Sequence, residues 1–320
     1  MFLKRFPLAL SCLALVPMFW GGSAARADVT SGTASAFGVE ANVGLSATVL
    51  GVGVNATLSA GPTPTASGSA PPPFNNSNSL ASVAASASIS AVGVGSLSTG
   101  ILNVNAQSNA TGTGAATTSA SASVANLSTS LAVDALGGFG ISGLVTLGAT
   151  VVQSIAQVTG DIGALVPSGT TTIVNGSFFV GTLDVSALVF ASANPGSNTT
   201  ITLNDALLFG GTGVVTGSIT VVLNEQIVTG NGNTSSGITV NAIDITFNQF
   251  AGGVILGLPA GITLNGQIIV SQSRAGQTAQ APGGGGGGAQ PVPEPSSLAM
   301  LGLIGVAGAI RRYRQRKFAV

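Results

Sequence analysis

The middle of the chain is built on alternation. Ser119-Ala120-Ser121-Ala122-Ser123-Val124 switches between small polar and apolar side chains without a break. Ile238-Thr239-Val240-Asn241-Ala242 does the same with β-branched residues. A period of two marks a strand with one buried and one wet face. After Ala242 the apolar positions become Ile243, Ile245 and Phe247, with Asp244 and Thr246 polar between them. The phase has moved by one residue, which predicts a bulge or bend at Ala242-Ile243. Further strands are expected at 34–40, 43–59, 80–91, 93–106, 143–158, 170–180, 183–192, 199–203, 214–228 and 262–272. No segment shows helical periodicity with a charged face. Asn231-Gly232 and Asn265-Gly266 are hairpin-turn dipeptides.

These elements predict an all-β fold between about 28 and 275. An antiparallel β-sandwich-like domain is expected, with a β-solenoid as the alternative; no fixed repeat of solenoid length supports the latter. The N-terminal half alternates Ala with Ser or Thr, so its layers must lie close. The Leu- and Phe-richer stretch from about 173 to 272 is expected to hold the better core. The segment from Gly61-Pro62-Thr63-Pro64 through Pro71-Pro72-Pro73-Phe74 to Ser79 is too proline-rich for a central strand and is expected to be an exposed loop.

Composition sharpens this picture. Charged residues are 6% of the 320, against roughly 25% in an average globular domain. His is 0, and Cys, Trp and Tyr occur once each, at Cys12, Trp20 and Tyr313. Between Asp28 and Gln290 there is no Cys, His, Lys, Met, Trp or Tyr, and the only base is Arg274. The balanced formal charge of +0 is therefore an average. The bases cluster at the two ends, and the body is acidic.

The ends read as sorting signals. Residues 1–27 have the three parts of a signal peptide: Lys4-Arg5, the apolar run Phe6–Trp20, and Ala25-Arg26-Ala27, an A-x-A site for signal peptidase. A signal helix is expected there. The run Gly283–Gly288 lies in a Gly-rich linker, residues 276–292, that behaves as a flexible tether. Next comes the segment 293–320. Pro293-Glu294-Pro295 follows Val292, an apolar stretch runs over 296–310, and Arg311, Arg312, Arg314, Arg316 and Lys317 close the chain. As a helix, 296–310 reaches about 22 Å, short of a ~30 Å hydrocarbon core. It would make a short transmembrane helix with its bases held on the cytoplasmic side.

This end resembles the PEP-CTERM sorting domain. The resemblance implies recognition and cleavage by an exosortase-type enzyme at Val292, Pro293, Glu294 and Pro295. It also implies transient anchoring in the inner membrane, then a place at the cell surface or outside it, with a link to exopolysaccharide and biofilm. The body resembles the choice-of-anchor P family, through Thr33-Ala34-Ser35-Ala36-Phe37-Gly38-Val39, Gly61-Pro62-Thr63-Pro64, Leu223-Asn224-Glu225-Gln226 and Gly237-Ile238-Thr239-Val240-Asn241-Ala242. That family has no established activity, so this resemblance implies a surface protein and adds no catalytic residue.

The missing side chains exclude most chemistry. Nucleophilic triads need a base, zinc, copper and haem sites need His, Cys or Met, and nucleic acid needs a basic surface. No catalytic residue, cofactor or nucleic-acid partner is expected. Two minor routes stay open. Calcium could take oxygen ligands from acids and Asn, although no EF-hand-type loop is present. Asp184, Asp205, Glu225 and Asp244 could serve a glycosidase, although the body lacks Trp and Tyr platforms. The acids recur about once per hairpin and are read as singly solvated groups. Asn-x-Ser/Thr at Asn126, Asn175 and Asn198, among others, is read as coincidence. The function expected is a non-enzymatic, exported surface or matrix protein, with a carbohydrate- or calcium-binding adhesin as the alternative. Flat Ala/Ser strands also raise the prospect of self-association at sheet edges.

Overall fold

The structure, a computed structural model, describes residues 28–49, 52–89, 92–135, 139–252 and 262–280. Its strands are β1 (Asp28–Val49), β2 (Val52–Ala70), β3 (Phe74–Leu80), β4 (Ala84–Ile89), β5 (Val92–Ser98), β6 (Leu102–Ser108), β7 (Ala116–Ala135) and β8 (Phe139–Gly160). They continue with β9 (Val166–Val174), β10 (Ser177–Val180), β11 (Leu183–Asp184), β12 (Thr199–Leu203), β13 (Val215–Gly230), β14 (Ser235–Gly252) and β15 (Ile262–Gln280). Two short helices, α1 (Ser186–Val189) and α2 (Asp205–Phe209), lie in the connections.

Every pairing is antiparallel. Sheet A runs β12-β13-β14-β15-β1-β2, and sheet B runs β11-β10-β8-β7-β5-β4, with β6, β3 and β9 completing it. The sheets pack face to face, β1, β14 and β15 against β6, β7 and β8. The result is the sandwich, not the solenoid.

A transverse crease crosses both sheets. In β14 the buried apolar positions run Ile238, Val240 and Ala242, then Ile243, Ile245 and Phe247, so the phase shift read from sequence is real. Its neighbours change phase at the same level. β15 passes from Leu264, Ile268 and Val270 to Ser271, Ser273 and Ala275, and β1 from Ala34 and Ala36 to Val39, Ala41 and Val43. β7 changes between Val124 and Leu127, and β8 between Ala149 and Val152. Left-handed residues carry the turn of face: Asn126 at φ 47°, Asn224 at φ 51° and Ser271 at φ 60°. Asn tolerates this conformation better than most residues. β2 uses a different device, a register shift opposite Val39 and Ala41, with Gly61 at φ 79°.

The crease separates two cores. On one side Leu, Val, Ile and Phe pack together, among them Leu97, Leu131, Phe178, Ile219, Ile245 and Phe250. On the other, Ala34, Ala36, Ala106, Ala120 and Ala122 face one another, beside a cluster containing Ala156, Ile238 and Ala275. The expected division between N-terminal and C-terminal halves is thus corrected. It runs across the strands, because β1, β7, β14 and β15 each span both cores. In the Ala-rich lobe the layers do lie close: the Ser271 side chain donates to the backbone carbonyl of Ala122 in the opposite sheet, at 2.8 Å.

Three local expectations are overturned. Gly61-Pro62-Thr63-Pro64 is part of edge strand β2, and Phe74–Leu80 is β3, so most of the expected loop is strand. Proline is tolerated because an edge strand has no ladder bond to lose on its open side. Asn265-Gly266 lies inside β15, where Gly266 at φ 126° is drawn close to the Asn42 carbonyl, and Asn265 accepts from the Gln249 N–H at 2.9 Å. Within 183–192 only Leu183–Asp184 is strand, and α1 follows. β15 also continues to Gln280, five residues past the expected boundary at 275.

Edges are blunted by amides. Asn76 and Asn78 of β3 donate to the Ser67 and Thr65 carbonyls of β2, at 2.7 and 3.2 Å. Asn198 accepts from the Gln226 N–H at 2.7 Å. Gln226 in turn donates to the Gly169 carbonyl of β9 at 2.9 Å. Backbone groups that could template another strand are spent on side chains instead.

Candidate functional site

The acids that recur along the described strands and turns do not converge on one centre. Asp161 lies in the turn after β8 and accepts from the Ile162 N–H at 2.8 Å. Asp184 accepts from the Ser186 hydroxyl and N–H, which hold its carboxyl below the usual range. Asp205 accepts from the N–H groups of Gly213, Val214 and Val215, at 2.6, 2.7 and 3.0 Å. The bond to Val215 leads in lowering its pKa, followed by that to Gly213. Both are thus loop clamps: Asp205 accepts backbone N–H groups on both oxygens, and Asp184 holds the Ser186 N–H and hydroxyl on one oxygen.

Glu225 and Asp244 do share a region, the outer surface of sheet A along the crease. Asn241 donates to Glu225 at 2.6 Å and accepts from Gln272 at 2.7 Å. Gln267 donates to both oxygens of Asp244 at 2.8 Å. Asp244 is only 7% exposed, so the expectation of a singly solvated acid is corrected here. Burial pushes its carboxyl up, the bond from Gln267 opposes this, and Glu225 nearby adds to the rise. Two carboxylates with one raised pKa are the raw material of glycoside hydrolysis. Here, however, the Asp244 oxygens are engaged by Gln267 and shielded from solvent. Among the described residues, no three of His, Cys, Asp and Glu come together as a metal-binding group.

The amides Asn241, Gln267 and Gln272 carry no motif in the sequence. Their signal was present: each is polar in a strand whose neighbours at the crease are buried, and a polar group in that position needs partners.

The sorting residues lie outside the described residues: Ala25 and Ala27 at one end, and at the other Val292, Pro293, Glu294, Pro295, Arg311, Arg312, Arg314, Arg316 and Lys317. So do the expected signal helix and the apolar helix 296–310. No helix among the described residues is long and apolar enough to cross a membrane. Residues 291–316 match the PEP-CTERM protein-sorting motif. No curated protein and no solved structure matches the chain. The motif defines the class: an exported protein, transiently anchored in the membrane and processed by exosortase.

Proposed function

We propose that this protein is a structural component of the cell surface or extracellular matrix, associated with exopolysaccharide and biofilm and without catalytic activity. The observation that carries this reading is the sorting motif at 291–316, set behind a β-domain whose last described strand reaches Gln280. The body is inert by composition, having no thiol, imidazole, amine or phenol between Asp28 and Gln290. Of the acids that could have served catalysis, Asp184 and Asp205 are occupied as clamps, Asp244 is shielded, and Glu225 accepts from the Asn241 amide. On this reading the body is a choice-of-anchor P domain, signal peptidase removes residues 1–27, and no cofactor is required. Deleting the gene and weighing the extracellular matrix is the test. A thinner or mechanically weaker matrix, restored by the intact gene but not by a copy lacking 293–320, is expected. Unchanged matrix in the deletion strain overturns the reading.

A further inference from the structure

The outer surface of sheet B over the Ala-rich lobe differs in kind from that of sheet A. Sheet A carries Glu40, Glu225, Asp244 and Arg274. On sheet B, the strands β3, β6, β7, β8 and β9 present no ionisable side chain there. What they present follows from register. Asn103, Asn105 and Gln107 alternate with the buried Leu102, Val104 and Ala106 of β6, so they point outward. Ser119, Ser121 and Ser123 of β7 alternate with the buried Ala120, Ala122 and Val124. Pairing aligns these into rows. Ser79 stands beside Asn103, then Ser123, Gln153 and Thr172. Ser77 stands beside Asn105, then Ser121, Ile155 and Thr170.

The face carries a shallow, open groove rather than an enclosed cavity. A groove of about 540 Å³ is lined by residues that include Ser77, Asn103, Asn105, Ser121, Ser123 and Gln153. That volume falls within the ~300–1,000 Å³ usual for ligand clefts. Five strands at ~4.8 Å spacing make the platform roughly 19 Å wide, room for several sugar rings. Part of the array is already fixed: Asn105 donates to Asn75 at 2.8 Å, and Gln107 donates to Ser119 at 3.0 Å. One residue breaks the polar rows. Ile155, between Ser121 and Thr170, is 39% exposed.

We propose that this groove binds a neutral polysaccharide chain. The inference deepens the matrix reading above and rests on it for the encounter with glycan. Uncharged amides and hydroxyls can donate to and accept from sugar hydroxyls without stripping water from an ion. Ile155, beside the groove next to Ser121, offers an apolar spot for the C–H face of a ring. Charge selects against the alternatives: Arg274, the one base of the body, lies on the other sheet, and acidic chains are repelled by the acidic body.

The test is calorimetric titration of the full chain with neutral gluco-, manno- and xylo-hexaoses, and with an alginate hexaose as the acidic comparator. At least one neutral hexaose is expected to bind and alginate is not. The triple variant N103A/N105A/Q153A should bind about tenfold more weakly, a loss of roughly 1.4 kcal/mol, and Ile155→Ala should also weaken binding. These positions are on the outer surface and the variant removes only the exposed Asn105–Asn75 hydrogen bond, so melting should move little. A matching pair on sheet A, Ser35→Ala with Thr239→Ala, should leave binding unchanged. Absence of binding to every neutral hexaose overturns the inference, as does alginate binding equally well, or a triple variant that binds like wild type. Sedimentation adds one more arm: a dimer that the triple variant dissolves would assign the groove to a second copy instead. If glycan fails to bind while matrix still thins on gene deletion, the inference falls and the matrix reading stands.

Discussion

Ser271 and Ser154 meet across the sandwich, Oγ to Oγ at 3.1 Å, where the crease of sheet A presses on sheet B. Both are fully buried. Ser271 also donates to the Ala122 carbonyl and holds a left-handed backbone. Two residues on, Ser273 is equally buried, but its hydroxyl has no hydrogen-bond partner. The pair makes an internal control. Ser271→Ala leaves buried groups unsatisfied and should cost about 1–3 kcal/mol, whereas Ser273→Ala should be neutral or stabilising. Thermal melting of both variants decides it, and equal losses would contradict the account of the crease.

Gly38 marks the crease in β1. A Cβ there would come within 2.6 Å of Leu102 and 3.0 Å of the Thr63 carbonyl. Gly44, on the same strand, leaves room, with its nearest atom at 3.7 Å. Gly38→Ala should therefore destabilise by about 1–3 kcal/mol, and Gly44→Ala should be tolerated. Chemical denaturation of the two variants measures the difference.

The phase shift at Ala242-Ile243 was legible in sequence because it lies in one strand whose large side chains announce each face. The rest of the crease was not. In β7 the lobe beyond it is built from Ala, Ser and Thr, whose alternation does not say which class faces in, and in β8 the expected order is reversed, with Ser154 buried and Ile155 exposed. In β13 and β7 the turning residues, Asn224 and Asn126, look like ordinary polar strand positions. In sequence Asn126, Asn175 and Asn198 carry only a glycosylation pattern, yet all three have positive φ. Asn265-Gly266 misled for the same reason: its chemistry suits a left-handed turn, and the chain spends it on an irregularity within β15. As for the candidate site, the acids were visible as residue types; the clamps at Asp184 and Asp205 are set by local loop conformation, whereas the engagement of Asp244 by Gln267 depends on pairing across strands that no local pattern encodes.

Asp244 should give stability a distinctive pH dependence. Its folded pKa lies above the ordinary carboxylate value because burial penalises the anion. The native state keeps a proton that the unfolded chain has released. Its contribution is full below the unfolded pKa and falls as pH rises towards the folded value. Asp244→Asn removes that fall. The variant should converge with wild type in acid and melt higher at neutral pH. A constant offset at every pH would refute this assignment.

Asp205 works in the opposite sense. Hydrogen bonds from Val215 and Gly213 lower its pKa, so its contribution is present above the unfolded pKa and is lost as pH falls through the folded value. Asp205→Ala should lower the melting temperature at neutral pH and speed amide exchange at Gly213, Val214 and Val215. Unchanged exchange at these three amides would show that the clamp is dispensable.

The central claim is export followed by processing at both ends, and intact mass of the chain recovered from the cell surface and medium tests it most directly. The account predicts a species beginning at Asp28 and ending near Pro293-Glu294-Pro295, without the apolar segment and the Arg-rich end. A surface or medium fraction containing only chains that extend to Val320 would contradict it.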